Sequence, residues 1–288
     1  MHLTWIGANE DVLTIKDPSP SAAYVYLTSS GFGGSENEIQ TRRGAYQDGM
    51  TLQTVRLSPR TLTLKFLILA ANRAEVEAAR RRVAAAFNPR SGLGTLIWTQ
   101  ADGAQYALKC VAQSKSPVFP GGRATGNTWQ EVVVDLQAPD PCWYDADPET
   151  LHLAGLTGGA TFPIAFPCIF ATLGATMVIV NDGDIAAPVR IEIPGPCLNP
   201  VVENLSTGEK VALTLEVPDG ETIVIDTTYG HLFCRLQASN GTQTNAMQYL
   251  TADSAFWQLE PGVNIVTYSA ASGSAAVTIE YASRYTGV

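Results

Sequence analysis

Ala138-Pro139-Asp140-Pro141-Cys142-Trp143-Tyr144-Asp145 divides the chain into two unlike halves. Proline fixes φ and removes a backbone donor, so two prolines around Asp140 end a strand and hold the following residues extended. Trp143 and Tyr144 then offer large apolar rings that anchor the hinge against a folded body. Before it lies a mixed region with one clear helix; after it the pattern is strands alone. The expected division is an N-terminal domain over 1–140, a hinge and inter-domain segment over 141–176, and a C-terminal domain over 177–288.

Upstream of the hinge, the strongest strand is Thr61–Leu69, where Leu62, Leu64, Phe66 and Ile68 recur at period two. Shorter strands are expected at 4–6, 12–15, 24–27, 95–98, 106–112 and 129–136. The helix starts at the N-cap Asn72, with Glu75 three residues on, and carries Val76, Ala79, Val83 and Ala86 on one stripe before Asn88-Pro89 stops it. Ser29–Ser35 reads as a flexible loop, and 114–128 as a long one rich in Pro, Gly and Ser.

Downstream, strands are expected at 177–180, 189–193, 201–203, 211–217, 222–226, 232–236, 255–259, 263–268 and 276–281. Asn181-Asp182-Gly183, Thr207-Gly208, Pro218-Asp219-Gly220, Asn240-Gly241, Pro261-Gly262 and Ser272-Gly273-Ser274 punctuate them. Short strands at this spacing make an antiparallel β-sandwich. The fold class is therefore mainly β: a β domain with one helix, then a sandwich.

Composition narrows the function. The 288 residues are 45% hydrophobic and 16% charged, as in a folded protein of one or two domains. A net charge of −9 opposes affinity for nucleic-acid backbones, and Arg80, Arg81 and Arg82 fall inside the predicted helix beside Glu75 and Glu77. Residues 153–180 carry no charge, yet Pro163, Pro167 and four glycines make a spanning helix a poor reading; an extended segment ending in a strand is expected, with no membrane insertion. The N-terminus has no basic stretch leading an apolar core, so no secretory signal is expected. Cys110, Cys142, Cys168, Cys197 and Cys234 are irregularly spaced, as for buried thiols in a reducing cytoplasm.

No catalytic, cofactor-binding or metal site is expected, and the chain does not read as an enzyme. Gly-x-Ser-x-Gly is absent, and His152 and His231 stand alone without an acid–base partner in sequence. Asp140, Asp145, Asp147 and Glu149 lack the spacing of a calcium loop. Gly31-x-Gly33-Gly34 lacks the Lys-Ser/Thr and helix of a phosphate cradle. Trp143, Tyr144, Trp257 and Tyr285 are candidates for stacking on sugar rings, with core packing or a protein interface as the commoner use.

An ordered series of motifs resembles the distal tail protein (Dit) of long-tailed bacteriophages. It runs from Asn88-Pro89 and Gly94-x-Leu96 through the Pro139–Tyr144 hinge to Asn181-Asp182-Gly183-Asp184, Pro188 and Ile193-Pro194-Gly195-Pro196. Asn199-Pro200, Thr207-Gly208-Glu209, Gly220-Glu221, Ile225-Asp226-Thr227, Leu259-x-Pro261-Gly262-x-Asn264 and Tyr285-x-Gly287-Val288 complete it. The resemblance implies a ring-forming N-terminal domain and a galectin-like C-terminal β-sandwich. It implies a structural hub in the virion's tail tip, made in the host cytoplasm: a homohexameric ring joining the tail tube protein to the tip or baseplate hub protein. The ring's channel would pass tape measure and DNA without specific nucleic-acid binding, so its lining is expected to lack dense Lys and Arg. Whether a receptor-binding protein docks on it is left open. The alternative is a carbohydrate-binding module for host-surface attachment, although the galectin sugar-reading His-Asn-Arg and Trp-Glu pattern is missing.

Overall fold

A computed structural model describes residues 2–19, 22–113, 115–154, 174–273 and 276–288. Of the uncharged run read over 153–180, residues 155–173 lie outside the described residues, as do Ser114 of the long loop and Ser274 of the last predicted turn. The chain forms two compact units, Met1–Ala146 with Tyr285–Val288, and Asp147–Arg284. The sequence reading carried the second domain through to 288; the last four residues instead return to the first unit.

The first unit contains β1 (His2–Ile6), β2 (Val12–Lys16), β3 (Tyr24–Ser30), β4 (Asn37–Arg42), β5 (Thr51–Leu57), β6 (Arg60–Leu69), α1 (Arg73–Ala86), β7 (Gly94–Thr99), β8 (Gln105–Ala112), β9 (Trp129–Ala138) and β10 (Trp143–Asp145). Strands pair in the order β8-β7-β1-β2-β3-β6-β9, and β9 pairs again with β8 through Val111↔Gln137 and Ala112↔Leu136. That second pairing closes the sheet into a barrel and removes its free edges. Inside, the alternation of β6 meets that of β9: Leu62 opposes Leu136, Leu64 opposes Val134 and Phe66 opposes Val132, all buried.

The helix forms where expected. Asn72 Oδ1 accepts the Glu75 amide N–H at 3.0 Å, and Glu75 Oε2 accepts the Ala71 N–H at 3.0 Å, so the first turn is capped in both directions. Val76, Val83 and Ala86 are buried, and Trp5 is tied to the helix end by Nε1–H donating to the Ala86 carbonyl at 2.8 Å and by stacking on Phe87. A Cβ at Gly94 would come within 2.4 Å of the Trp5 ring, which explains the glycine there.

Arg60 opens β6 from the inside, with only 2% of its surface exposed. Its Nε–H donates to the Pro141 carbonyl at 2.6 Å, Nη1 to the carbonyls of Gly31 (2.7 Å) and Gly33, and Nη2 to the Thr286 carbonyl at 2.5 Å. The flexible loop expected over 29–35 is therefore corrected: Ser29 and Ser30 extend β3, and the glycines beyond are clamped. Gly31 sits at φ +89°, a conformation that L side chains rarely adopt.

The second unit contains β11 (Glu149–Ala154), β12 (Gly174–Asn181), β13 (Ala187–Pro194), β14 (Cys197–Leu198), β15 (Val201–Asn204), β16 (Glu209–Ala212), β17 (Glu216–Val217), β18 (Thr222–Asp226), β19 (Phe233–Gln237), β20 (Gln243–Asn245), β21 (Gln258–Leu259), β22 (Gly262–Ser269) and β23 (Ala276–Tyr281). One sheet runs β11-β23-β13-β18-β19-β20 with β21 beside β13, and a second runs β12-β22-β15-β16. Their inner faces share one core, in which Ile191, Ile223, Ile225 and Ile279 meet Val202, Val211, Val266 and Tyr268. The strand expected at 211–217 is broken, because the Leu213 N–H turns to the Pro200 carbonyl (3.0 Å) and the Thr214 N–H to that of Tyr249 (2.8 Å). The strand expected from 255 begins only at Gln258. Glu149–Ala154, read from sequence as linker, is a sheet strand paired with β23.

Replacing Arg60 with Met leaves four carbonyls without their donor. The expected result is a loss on the order of 3 kcal/mol in urea denaturation, the scale of hydrogen bonds from a charged group. An unchanged midpoint would show that the clasp contributes nothing net.

Candidate functional site

The residues with chemical potential in the sequence do not converge. His152 is exposed on β11 with Nδ1 3.1 Å from Thr278 Oγ1, and His231 is exposed in the turn before β19. Among the described residues no group of three His, Cys, Asp or Glu is placed to hold a metal ion. The acids around the hinge instead hold hydroxyls: Asp140 accepts from Tyr144, Asp145 from Tyr285 at 3.2 Å, and Glu149 from Tyr281 at 2.7 Å. No described helix is long and apolar enough to cross a membrane.

Two of the four aromatics considered for sugar stacking are core residues. Trp143 and Trp257 are 0% and 1% exposed, their Nε1–H groups donating to the carbonyls of Phe32 (3.2 Å) and Val202 (3.3 Å). Tyr144 and Tyr285 are half-buried by the hydroxyl bonds just described. Arg80 lies over the Phe119 ring at 4.8 Å and Arg82 reaches the Val12 carbonyl at 3.3 Å, so the helix arginines serve packing within the unit.

What the fold does present is an arm that the sequence reading missed. β4 and β5 pair only with each other, in a hairpin outside the barrel. Ile39 faces Val55 across it, with Leu52 and Leu57 on the same side, while Glu38, Arg56, Gln40 and Thr54 occupy the other. Their exposures are 58% for Ile39, 59% for Leu52, 48% for Val55 and 40% for Leu57. The tip is ordered by its own bonds: Gly44 N–H to Gln47 Oε1 (2.9 Å), Arg43 Nε–H to the Gln47 carbonyl (3.2 Å) and Gln47 Nε2–H to Thr51 Oγ1 (2.9 Å). A two-stranded ribbon is marginal alone in water, and one with an open apolar face is built to be covered. The signal was present as Ile39, Leu52, Val55 and Leu57 at near period two, but an extra residue in β5 between Gln40 and Thr41's partners shifts the register and hides it.

The fold is a β-barrel with one packed helix and an outlying arm, together with an antiparallel sandwich. Comparison with known proteins places it among phage tail components. Residues 26–130 match the phage tail protein RIFT-related domain, and 182–285 match the siphovirus-type tail component, C-terminal domain. The chain belongs to the siphophage distal tail protein family. Its fold is shared with the crystal structure of the SPP1 Dit protein, described as a paradigm of the hub adsorption apparatus in phages infecting Gram-positive hosts. That likeness has a TM-score of 0.66 at 14% identity and covers 98% of each chain. Chains of the phage p2 baseplate in its activated conformation, with calcium and with strontium, each match at TM-score 0.53 and 12% identity over 100% of this chain and 99% of theirs. No curated protein matches in sequence.

The described cysteines fit a structural protein. Burial pushes the Cys110 thiol up to about 12 and that of Cys234 to about 11, and also raises Cys197. A thiol so raised is not a nucleophile near neutral pH. Iodoacetamide at pH 8 is expected to leave Cys110 and Cys234 unmodified in the folded protein and to label both in denaturant, read by mass spectrometry. Rapid labelling of either in the native state would contradict their burial.

Proposed function

We propose that this chain is the structural hub of a long-tailed phage's tail tip. Six copies form a ring between the tail tube protein and the tip or baseplate hub protein, with a central channel for tape measure and DNA. The first unit makes the ring, and the chain performs no catalysis. The observation that carries this reading is the β4–β5 arm. Its apolar face is left open within one chain, and a second copy of the same chain supplies a cover repeated identically around a closed ring. The clamped Gly31 and Gly33 at the root of the arm support the reading, because a fixed root lowers the entropy lost on docking. The net charge of −9 is compatible with a conduit that does not grip phosphate.

The test is the solution mass of the 30.7 kDa chain by light scattering, with negative-stain images of the same peak, for the native protein and Val55→Asp. The expected result is a six-fold ring for the native chain and monomers for the variant, with superimposable circular dichroism because Val55 contributes nothing to either core. A ring that survives the substitution would remove the arm from the interface. A native chain that stays monomeric even with the tail tube protein present would overturn the ring itself.

A further inference from the structure

The outer face of the six-stranded sheet in the second unit is polar, and at one end it becomes concave. A cavity of about 410 Å³ there is lined by Leu232, Phe233, Arg235, Gln243, Asn245 and Met247, among others. That volume falls within the range of small-ligand sites. Registers explain the convergence: Arg235 pairs with Asn245 and Gln237 with Gln243, so alternate residues of β19 and β20 share this face.

The arginine is held in place but not neutralised. Its guanidinium lies over the Phe233 ring, 4.4 Å from the centroid, and Nη1 donates to Gln243 Oε1 at 3.0 Å. Gln243 Nε2 in turn donates to Gln237 Oε1 at 3.3 Å, which fixes the direction of both amides. The other described arginine on this face, Arg190, is paired with Glu192 at 2.9 Å. Asp226 sits opposite Phe233, but its Oδ1 accepts the Thr228 N–H at 2.8 Å, and among the described residues Arg235 takes part in no ion pair. An oriented guanidinium without a carboxylate among the described residues, in a chain of net charge −9, is an anion anchor. Asn245 uses its Oδ1 on the Met247 N–H at 3.0 Å, and among the described residues its amide N–H donors find no acceptor.

We propose that this cavity binds an anionic saccharide, its carboxylate or phosphate on Arg235 and its hydroxyls on Asn245 and Gln243, the latter oriented by Gln237. A polyol matches the site because planar amides set side by side serve vicinal hydroxyls, while Leu232 and Met247 cover the apolar faces of a ring. The chemistry differs from that of galectins, whose sugar-reading pattern the sequence lacks. Its residues lie in the second unit, apart from the β4–β5 arm on which the ring reading rests.

The experiment is saturation-transfer NMR with titration of the full chain by glucuronate, glycerol phosphate, glucose and triglutamate, repeated on Arg235→Gln. Binding of glucuronate or glycerol phosphate is expected, with the tighter of the two identifying a sugar acid or a polyol phosphate as the natural source. Arg235→Gln is expected to weaken it roughly tenfold to a hundredfold, the scale of a lost charge-assisted contact, while the mass in light scattering stays that of the native protein. Glucose binding as well as glucuronate, triglutamate binding better than either anionic polyol, or an unaffected Arg235→Gln variant would each overturn the proposal. Absence of binding by both anions would do the same.

Discussion

The guanidinium of Arg60 gathers three separate pieces of chain at one point. One planar cation binds carbonyls of the loop after β3, of the hinge after β9 and of the returning C-terminus. Burying an unpaired charge is costly, and the cost is met here because the guanidinium makes four hydrogen bonds to carbonyl dipoles in place of water. The arrangement is exacting at Gly31, where φ is +89° and a Cβ would lie 2.2 Å from the Thr61 carbonyl. Around that node the barrel closes, Trp143 packs against Phe32 and Trp98, and the root of the β4–β5 arm becomes rigid.

Closure of the barrel also explains where the unsatisfied surface of the first unit lies. With β9 paired on both sides, the barrel's ladder bonds are consumed and the alternating apolar residues of β6 and β9 point inward. The arm instead leaves Ile39, Leu52, Val55 and Leu57 exposed together on one face. In the second unit the two sheets cover one another; the outer face at β19 and β20 is polar, whereas Val178, Val180, Val263 and Ile265 stand exposed on the outer face of β12 and β22.

Much of this was legible in the residues. The alternation at Leu62–Ile68 and the capped stripe from Asn72 to Ala86 specify their elements because burial and local bonds agree there. The turn motifs in the second half were legible for a different reason: Asn181, Asn204 and Asn264 are buried, and each uses its amide to hold a corner, Asn264 through the carbonyls of Glu260 (2.7 Å) and Gly262 (3.0 Å). A Cβ at Gly195 would lie 1.9 Å from the Pro218 carbonyl, so Ile193-Pro194-Gly195-Pro196 records a close passage of two chains. What stayed hidden depends on distant partners. The arm has no core to impose a pattern on it, Arg60 reads as an ordinary strand-initial arginine, and Arg235 gains meaning only once β20 is folded beside β19.

The first unit is interrupted: it runs to Ala146 and resumes at Tyr285, with the entire sandwich between. The two ends of the sandwich, Glu149 and Tyr281, are cross-strand partners. In evolutionary terms the sandwich is a cassette, entered and left through neighbouring points. Any folded module whose termini lie side by side fits the same two chain crossings, leaving the path of the barrel unchanged. The second unit of such a protein is thus free to be exchanged while the first keeps its path.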